Sequence, residues 1–285
     1  MIPRFGESGT AGYIFGPEKS RKSMVIADIG LSVASNTPAL GKFPVDHTGT
    51  VVCFFAEDPR EETSRRVHRL ARGRGIEVPA NLMLIGVPAL SLDNPTHQER
   101  LQKTLTSIPD LALATLDPMV RLIGRTNDNR AEELGPIHTF LRTLARECPR
   151  AVILLAHHAG KEGNYRGSTD YPAFGDFNLY LRKKDKVTTE VFQIDNRGGP
   201  PGDGFLYSIV DGMTEAGPTL HIEVGESLDP DADAEAAQDT HAAIVRFITD
   251  NDGVGFQDMR RRLRKTGLTF GNVAFSAAWK EVRHA

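Results

Sequence analysis

Polar side chains are missing altogether from Val51-Val-Cys-Phe-Phe-Ala56, and an apolar run of that length fits a strand covered on both faces. Ala11 to Phe15, Leu111 to Leu116 and Ala151 to Ala156 read the same way, and Leu82 to Val87 gives a further short strand. Between these runs the apolar positions recur three and four residues apart, the spacing of a helix with one buried face. Met24 to Ala34 does so through Val25, Ile26, Ile29 and Val33, and Ala131 to Glu147 through Leu134, Ile137, Leu141 and Leu144. Thr96 to Ser107 is amphipathic, and Pro59 to Gly73 is a helix rich in arginine (Arg60, Arg65, Arg66, Arg69 and Arg72). Strands alternating with helices over about 150 residues predict an α/β fold with a mostly parallel sheet flanked by helices. The pattern then changes: Asn178 to Arg182, Thr188 to Ile194 and Phe205 to Val210 read as strands joined by turns, an antiparallel extension of the same sheet.

A boundary follows. Glu226 to Asp239 holds six acidic residues, four alanines and no basic one, a composition that predicts a flexible linker. Beyond it Ile244, Val245, Phe247 and Ile248, then Phe256, Met259 and Leu263, then Val273, Phe275 and Trp279 predict three short helices, with turns at Asp252-Gly253 and Thr266-Gly267. The expected organisation is a domain over 1–225, an acidic linker over 226–239 and a small helical module over 240–285. A chain of 285 residues with 40% hydrophobic content can bury the core this requires. A net charge of −3 argues against a generally basic nucleic-acid coat but leaves room for a local basic patch. Cys53 and Cys148 do not form a disulfide framework and read as reduced thiols. No apolar run approaches the roughly 18 residues of a membrane span, so a soluble cytoplasmic protein is expected.

The chemistry starts at Gly16-Pro17-Glu18-Lys19-Ser20-Arg21-Lys22-Ser23, which follows a strand and precedes a helix that includes Met24. A phosphate-binding loop reads Gly-x-x-x-x-Gly-Lys-Ser/Thr, and only Arg21 departs from it. Backbone N–H groups at the helix start would cradle phosphate oxygens of ATP, with Lys22 on the β- and γ-phosphates and Ser23 on Mg2+. Arg21 puts a side chain where the backbone usually comes nearest the nucleotide, so a slowed hydrolysis is expected, and its guanidinium could pair with phosphate, Glu18 or Glu57. Glu57-Asp58 sits at the end of a strand, where ligands of parallel sheets bind. Glu57 is the candidate for activating water, and Asp58 the cap of a helix with Pro59 at its first position. The run Leu111 to Asp117 ends an apolar strand in a carboxylate, the Walker B pattern, and Asp117 joins Ser23 as the magnesium pair. His157-His158 closes the next strand. One of the two is expected to touch the γ-phosphate and relay its presence to the loop 160–170.

Taken in order, these residues resemble the RecA-like P-loop ATPase core, and within it the RepA-type hexameric replicative helicases. Gly16–Ser23, Ala56-Glu57-Asp58-Pro59, Leu116-Asp117-Pro118 and His157-His158 with Lys161 match that core, as do Arg166-Gly167-Ser168 and Asp176. The resemblance runs from about residue 10 to 212 and implies catalysis by Glu57 and γ-phosphate sensing by His158. Related helicases carry Lys-x-Arg-x-Gly near the end of the core, where the arginine reaches a neighbour's nucleotide. Here Asp195-Asn196-Arg197-Gly198-Gly199 keeps the arginine and loses the lysine. Arg197 is the candidate finger, against the alternative of an ordinary turn arginine. The segment Thr240–Ala285 holds eight Lys/Arg against four Asp/Glu, with Arg260, Arg261, Arg262, Arg264 and Lys265 together. It resembles a helix-turn-helix that contacts DNA phosphates. The alternative is a solvated basic helix or a contact onto the acidic linker. The implied protein is a ring-forming ATPase, a hexamer by preference. It would take single-stranded DNA through the core and duplex DNA through residues 256–265. Two other readings stay open: a nucleotide-gated DNA-binding or regulatory protein with weak or no hydrolysis, and a small-molecule P-loop kinase.

Overall fold

A computed structural model describes residues 6–57, 59–158, 170–185, 187–196, 204–228, 230–251, 253–266, 268 and 272–284. The chain divides into two compact units at Ser227/Leu228. In the first, β1 (Thr10–Gly16), β2 (Thr50–Phe55), β3 (Leu82–Gly86), β4 (Leu111–Asp117) and β5 (Val152–His158) alternate with α1 (Lys22–Ser35), α2 (Arg60–Gly73), α3 (Pro95–Thr106), α4 (Met119–Leu122) and α5 (Ala131–Glu147). The short α6 (Asp170–Phe174) leads to β6 (Phe177–Lys183), β7 (Thr188–Asn196), β8 (Gly204–Thr214) and β9 (Gly217–Leu228).

The strands form one sheet in the order β3-β2-β4-β5-β1-β6-β7-β8-β9. It is parallel from β3 to β6, with β1 between β5 and β6, and antiparallel where β7 pairs with β6 and with β8. The switch has a simple cause: the short hairpin connection from β6 to β7 can only return antiparallel, whereas each parallel step needs a crossover. Both sheet faces are covered, as the unbroken apolar runs predicted. Ile14, Val51, Cys53, Val152 and Leu154 pack with Val25, Ile26 and Ile29 of α1 and Val67 and Leu70 of α2. Tyr13, Phe15, Val52, Phe54, Ile153 and Leu155 face Leu101 and Leu105 of α3 and Leu134, Ile137 and Leu141 of α5. A fully buried aliphatic or aromatic side chain contributes about 2 kcal/mol, so these two layers are what hold the sheet and its strand ends in place.

Local signals place the helix starts. Asn94 caps α3 by accepting from the Thr96 N–H (3.0 Å) with Pro95 at the first helical position. α2 begins at Arg60, so Pro59 is its N-cap residue, one position earlier than the sequence reading has it, and Asp58 lies outside the described residues. Strand β9 was not foreseen. Its Leu220, Ile222 and Val224 alternate toward the core while His221 and Glu223 interrupt the run, and that alternation is the signal a half-covered edge strand gives.

The second unit is helical: α7 (Pro230–Asp250), α8 (Phe256–Lys265) and α9 (Asn272–His284). Ile244, Ile248, Met259, Leu263, Phe275 and Ala278 form its own core. The acidic stretch read as a linker is corrected here, because from Pro230 onward it is helix. The physical reason is in the sequence: proline suits a first helical position, and the alanines have the highest helix propensity. The first helix of the module is accordingly long rather than short.

Candidate active site

The phosphate loop leaves β1 at Gly16, a position with no room for a side chain. A Cβ there would come within 2.5 Å of Ser20 Oγ and 2.9 Å of the Leu181 carbonyl oxygen. The loop closes with Ser20 N–H donating to the Pro17 carbonyl (3.2 Å), and α1 starts at Lys22. No side chain caps α1 at its N-terminus, so the positive end of the helix is open toward the cleft, as an anion site requires. Lys22 is 6% exposed and its Nζ donates to the carbonyls of Gly16 (2.8 Å) and Pro17 (3.0 Å). Burial lowers the Lys22 pKa from 10.5 to about 8, against the pull of the Asp117, Glu18 and Glu57 carboxylates.

A cleft of about 730 Å³ opens beside this lysine. Glu18, Lys19, Arg21, Lys22, Ser23 and Met24 supply its loop side, and Glu57, Asp117 and His158 its strand ends. Gly16, Pro17 and Ser20 shape the loop behind it and hold the lysine amine, with Ser20 Oγ at 3.5 Å. Asp117 is 5% exposed at the end of β4. Glu57 follows β2, and its Oε1 accepts from Arg121 Nη2 of α4 at 3.1 Å.

The adjacent histidines have opposite fates because consecutive strand residues face opposite sides of a sheet. His157 is fully buried, stacked on Tyr171 with ring centroids 4.0 Å apart and edge-on to Tyr13 and Phe15. His158 turns to the cleft, with Nδ1 3.4 Å from Lys22 Nζ.

Of the residues singled out in the sequence, the structure therefore brings the loop, Glu57, Asp117 and His158 to one cleft. Arg197, Lys161, Arg166, Gly167 and Ser168 lie outside the described residues. Arg21 lines the cleft, and its Nη1 donates to the Val187 carbonyl oxygen (2.7 Å) between β6 and β7, a partner the sequence reading did not name. Other residues of the site had not been singled out. Arg66 lines the cleft from α2, its Nε held by Glu62 at 3.2 Å. Arg121 meets Glu57 across 64 positions of sequence, and Tyr207 donates from its hydroxyl to the Ser20 carbonyl (3.3 Å). No local pattern announces the last two; only sheet order brings them near.

In the second unit Met259 and Leu263 are buried on one side of α8, while Arg261, Arg262, Arg264 and Lys265 are exposed. Phe256 packs edge-on against Phe275 and Trp279, with ring centroids 5.1 and 5.3 Å away. Among the described residues no helix is long and apolar enough to cross a membrane.

A sequence comparison with curated proteins finds no match. Among solved structures the chain is similar to that of a DnaB-like replicative helicase and its interactions with primase, with a TM-score of 0.56 and 15% identity. The similarity covers 72% of this chain and 56% of that one, so this chain spans little more than half of the helicase's length. At that identity the likeness shows the fold, which is RecA-like. A family model described as AAA domain matches residues 1–164, more than half of the 285 residues and all of the phosphate loop, Glu57, Asp117 and His158. By that match the chain belongs to the AAA domain family, and its fold is that of a RecA-like P-loop ATPase.

Proposed function

We propose that this protein hydrolyses ATP with Mg2+ and acts on DNA as a ring-forming helicase of the RepA type, in DNA replication. The observation that carries the reading is the convergence of Lys22, Ser23, Glu57, Asp117 and His158 on one cleft at the open end of α1. The loop backbone and Lys22 hold the triphosphate, with Gly16, Pro17, Glu18, Lys19, Ser20, Arg21 and Met24 as its frame. Ser23 and Asp117 offer a hydroxyl and a carboxylate, the hard oxygen donors magnesium takes together with phosphate oxygens. Bound there, magnesium neutralises charge on the phosphates. Glu57 orients and deprotonates the attacking water, and His158, beside Lys22, contacts the γ-phosphate. Arg197 reaches a neighbouring subunit's nucleotide in the assembled ring.

Single-stranded DNA is the partner proposed for the core, and duplex DNA for the basic face of α8, through phosphate contacts. Steady-state ATP hydrolysis with and without single-stranded DNA tests the main reading, together with the mass in solution in a non-hydrolysable ATP analogue. Stimulation by DNA and a nucleotide-dependent ring are expected. Turnover that ignores DNA in a persistent monomer would overturn it. One observation favours a second reading, a nucleotide-gated DNA-binding protein with weak hydrolysis: Arg21 lines the nucleotide cleft with a side chain where the loop pattern has glycine. That protein would bind ATP and duplex DNA, with affinity for DNA that changes on nucleotide binding and negligible turnover.

A further inference from the structure

Arg21 stands where the loop pattern has glycine, and its backbone keeps the glycine conformation, φ 68° and ψ 24°. The left-handed region is strained for a residue that carries a Cβ and persists only where the surroundings hold it. The held end is visible. The Arg21 guanidinium donates from Nη1 to the Val187 carbonyl oxygen at 2.7 Å. That carbonyl is aimed by its own peptide: the Thr188 N–H donates to Asp185 Oδ1 (2.7 Å), and in a trans peptide the preceding carbonyl points the opposite way. The Val187 N–H also donates to Asp185 Oδ1 (2.7 Å), so Asp185 fixes both sides of the residue that Arg21 contacts. One residue earlier in the loop, the Ser20 carbonyl accepts from the buried Tyr207 hydroxyl of β8 at 3.3 Å. Two successive loop residues are thus bonded to the antiparallel extension.

We propose that Arg21 is a positioning residue that straps the phosphate loop to the β6–β7 connection, so that occupation of the loop by a nucleoside triphosphate is felt by the antiparallel extension. The inference rests on the nucleotide reading of the loop and adds a route by which that site reports its state. A planar guanidinium suits the task, because it holds its direction toward a fixed carbonyl better than a flexible ammonium does. A glycine would serve the loop conformation and lose the strap.

Amide hydrogen exchange of the full chain, read by mass spectrometry with and without a non-hydrolysable ATP analogue and Mg2+, tests this. In the parent protein the Val187 and Thr188 amides should slow on nucleotide binding. In Arg21→Gly, which suits the left-handed backbone and so keeps the loop fold, they should exchange at least about tenfold faster without nucleotide and lose the response to it. Arg21→Lys should restore part of the protection. Unchanged exchange at Val187 and Thr188 in Arg21→Gly, or an undiminished nucleotide response there, overturns the strap. A parent that binds no ATP analogue overturns the nucleotide reading itself and the coupling with it, an outcome distinct from a parent that binds while the variant behaves identically.

Discussion

At Lys22 the amine is buried among carbonyls, and burial brings its pKa from 10.5 down to about 8. Only the ammonium form attracts phosphate. ATP affinity should therefore be steady below pH 8 and weaken as pH rises above it, approaching tenfold per unit. Fluorescent-nucleotide titration across that range measures this, and Lys22→Ala should bind no nucleotide at all. Constant affinity well above pH 8 would mean that Lys22 does not carry the binding charge. The two histidines separate stability from chemistry. His157→Ala opens a cavity beneath Tyr171 and should cost about 3 kcal/mol in urea unfolding. His158→Ala, at the cleft, should leave stability nearly unchanged and reduce turnover. Equal behaviour of the two variants would contradict the alternation described. Gly16, Lys22, Ser23 and Asp117 were legible in the sequence because their chemistry needs a short local pattern. Glu57 was legible only through its strand end. Its partner Arg121 was not, since nothing in either segment refers to the other. Arg21 was legible as a departure, but its partner Val187 was not, being set by the sheet extension.

Helices and strands show the same division between local and distant causes. Ala131 to Glu147 stands as read because periodicity, acidic residues in its first turn (Glu132, Glu133) and Arg146 in its last agree. The acidic stretch before residue 240 was misread because charge content was weighed above alanine content, and β9 because its polar residues hid a two-residue alternation. Beside the apolar packing of α1 and α2, one buried polar interaction joins them. Asp28 of α1, 1% exposed, pairs with Arg74 at the C-terminal cap of α2 and accepts from the Leu40 N–H at 2.6 Å. Burial raises the Asp28 pKa, and Arg74 pulls it back. Arg74→Ala leaves a buried carboxylate unpaired and should cost about 3 kcal/mol near neutral pH. The variant's Asp28 pKa rises further, so the folded state takes up a proton that the unfolded chain does not. The deficit should shrink as pH falls through that raised pKa. Urea unfolding at two pH values reads it, and a deficit that grows on acidification would refute the assignment.

At the scale of the whole molecule, the proposed sharing of a catalytic site between subunits makes a test available that no single chain offers. Glu57→Gln should bind ATP and turn over at least about 10²-fold more slowly. Arg197→Ala should bind ATP and lose turnover only where subunits assemble. Mixed together, the two inactive proteins should regain activity at the interfaces that combine an intact Glu57 with an intact Arg197. Absence of rescue in rings shown to be mixed would argue that each subunit works alone. The position of β1 has a consequence for synthesis. Its hydrogen-bonding neighbours are β5 and β6, with Thr10 opposite Val152 and Gly12 opposite Phe177. The ribosome therefore makes the phosphate loop well before the strands that flank it, and contacts so distant in sequence form late. A chain stalled just after Arg150 has no strand to place on either side of β1, and it should retain no ATP, however much helix it has formed. Nucleotide is therefore expected to stabilise this protein only once β6 is out, and not to guide the earlier steps of its folding on the ribosome.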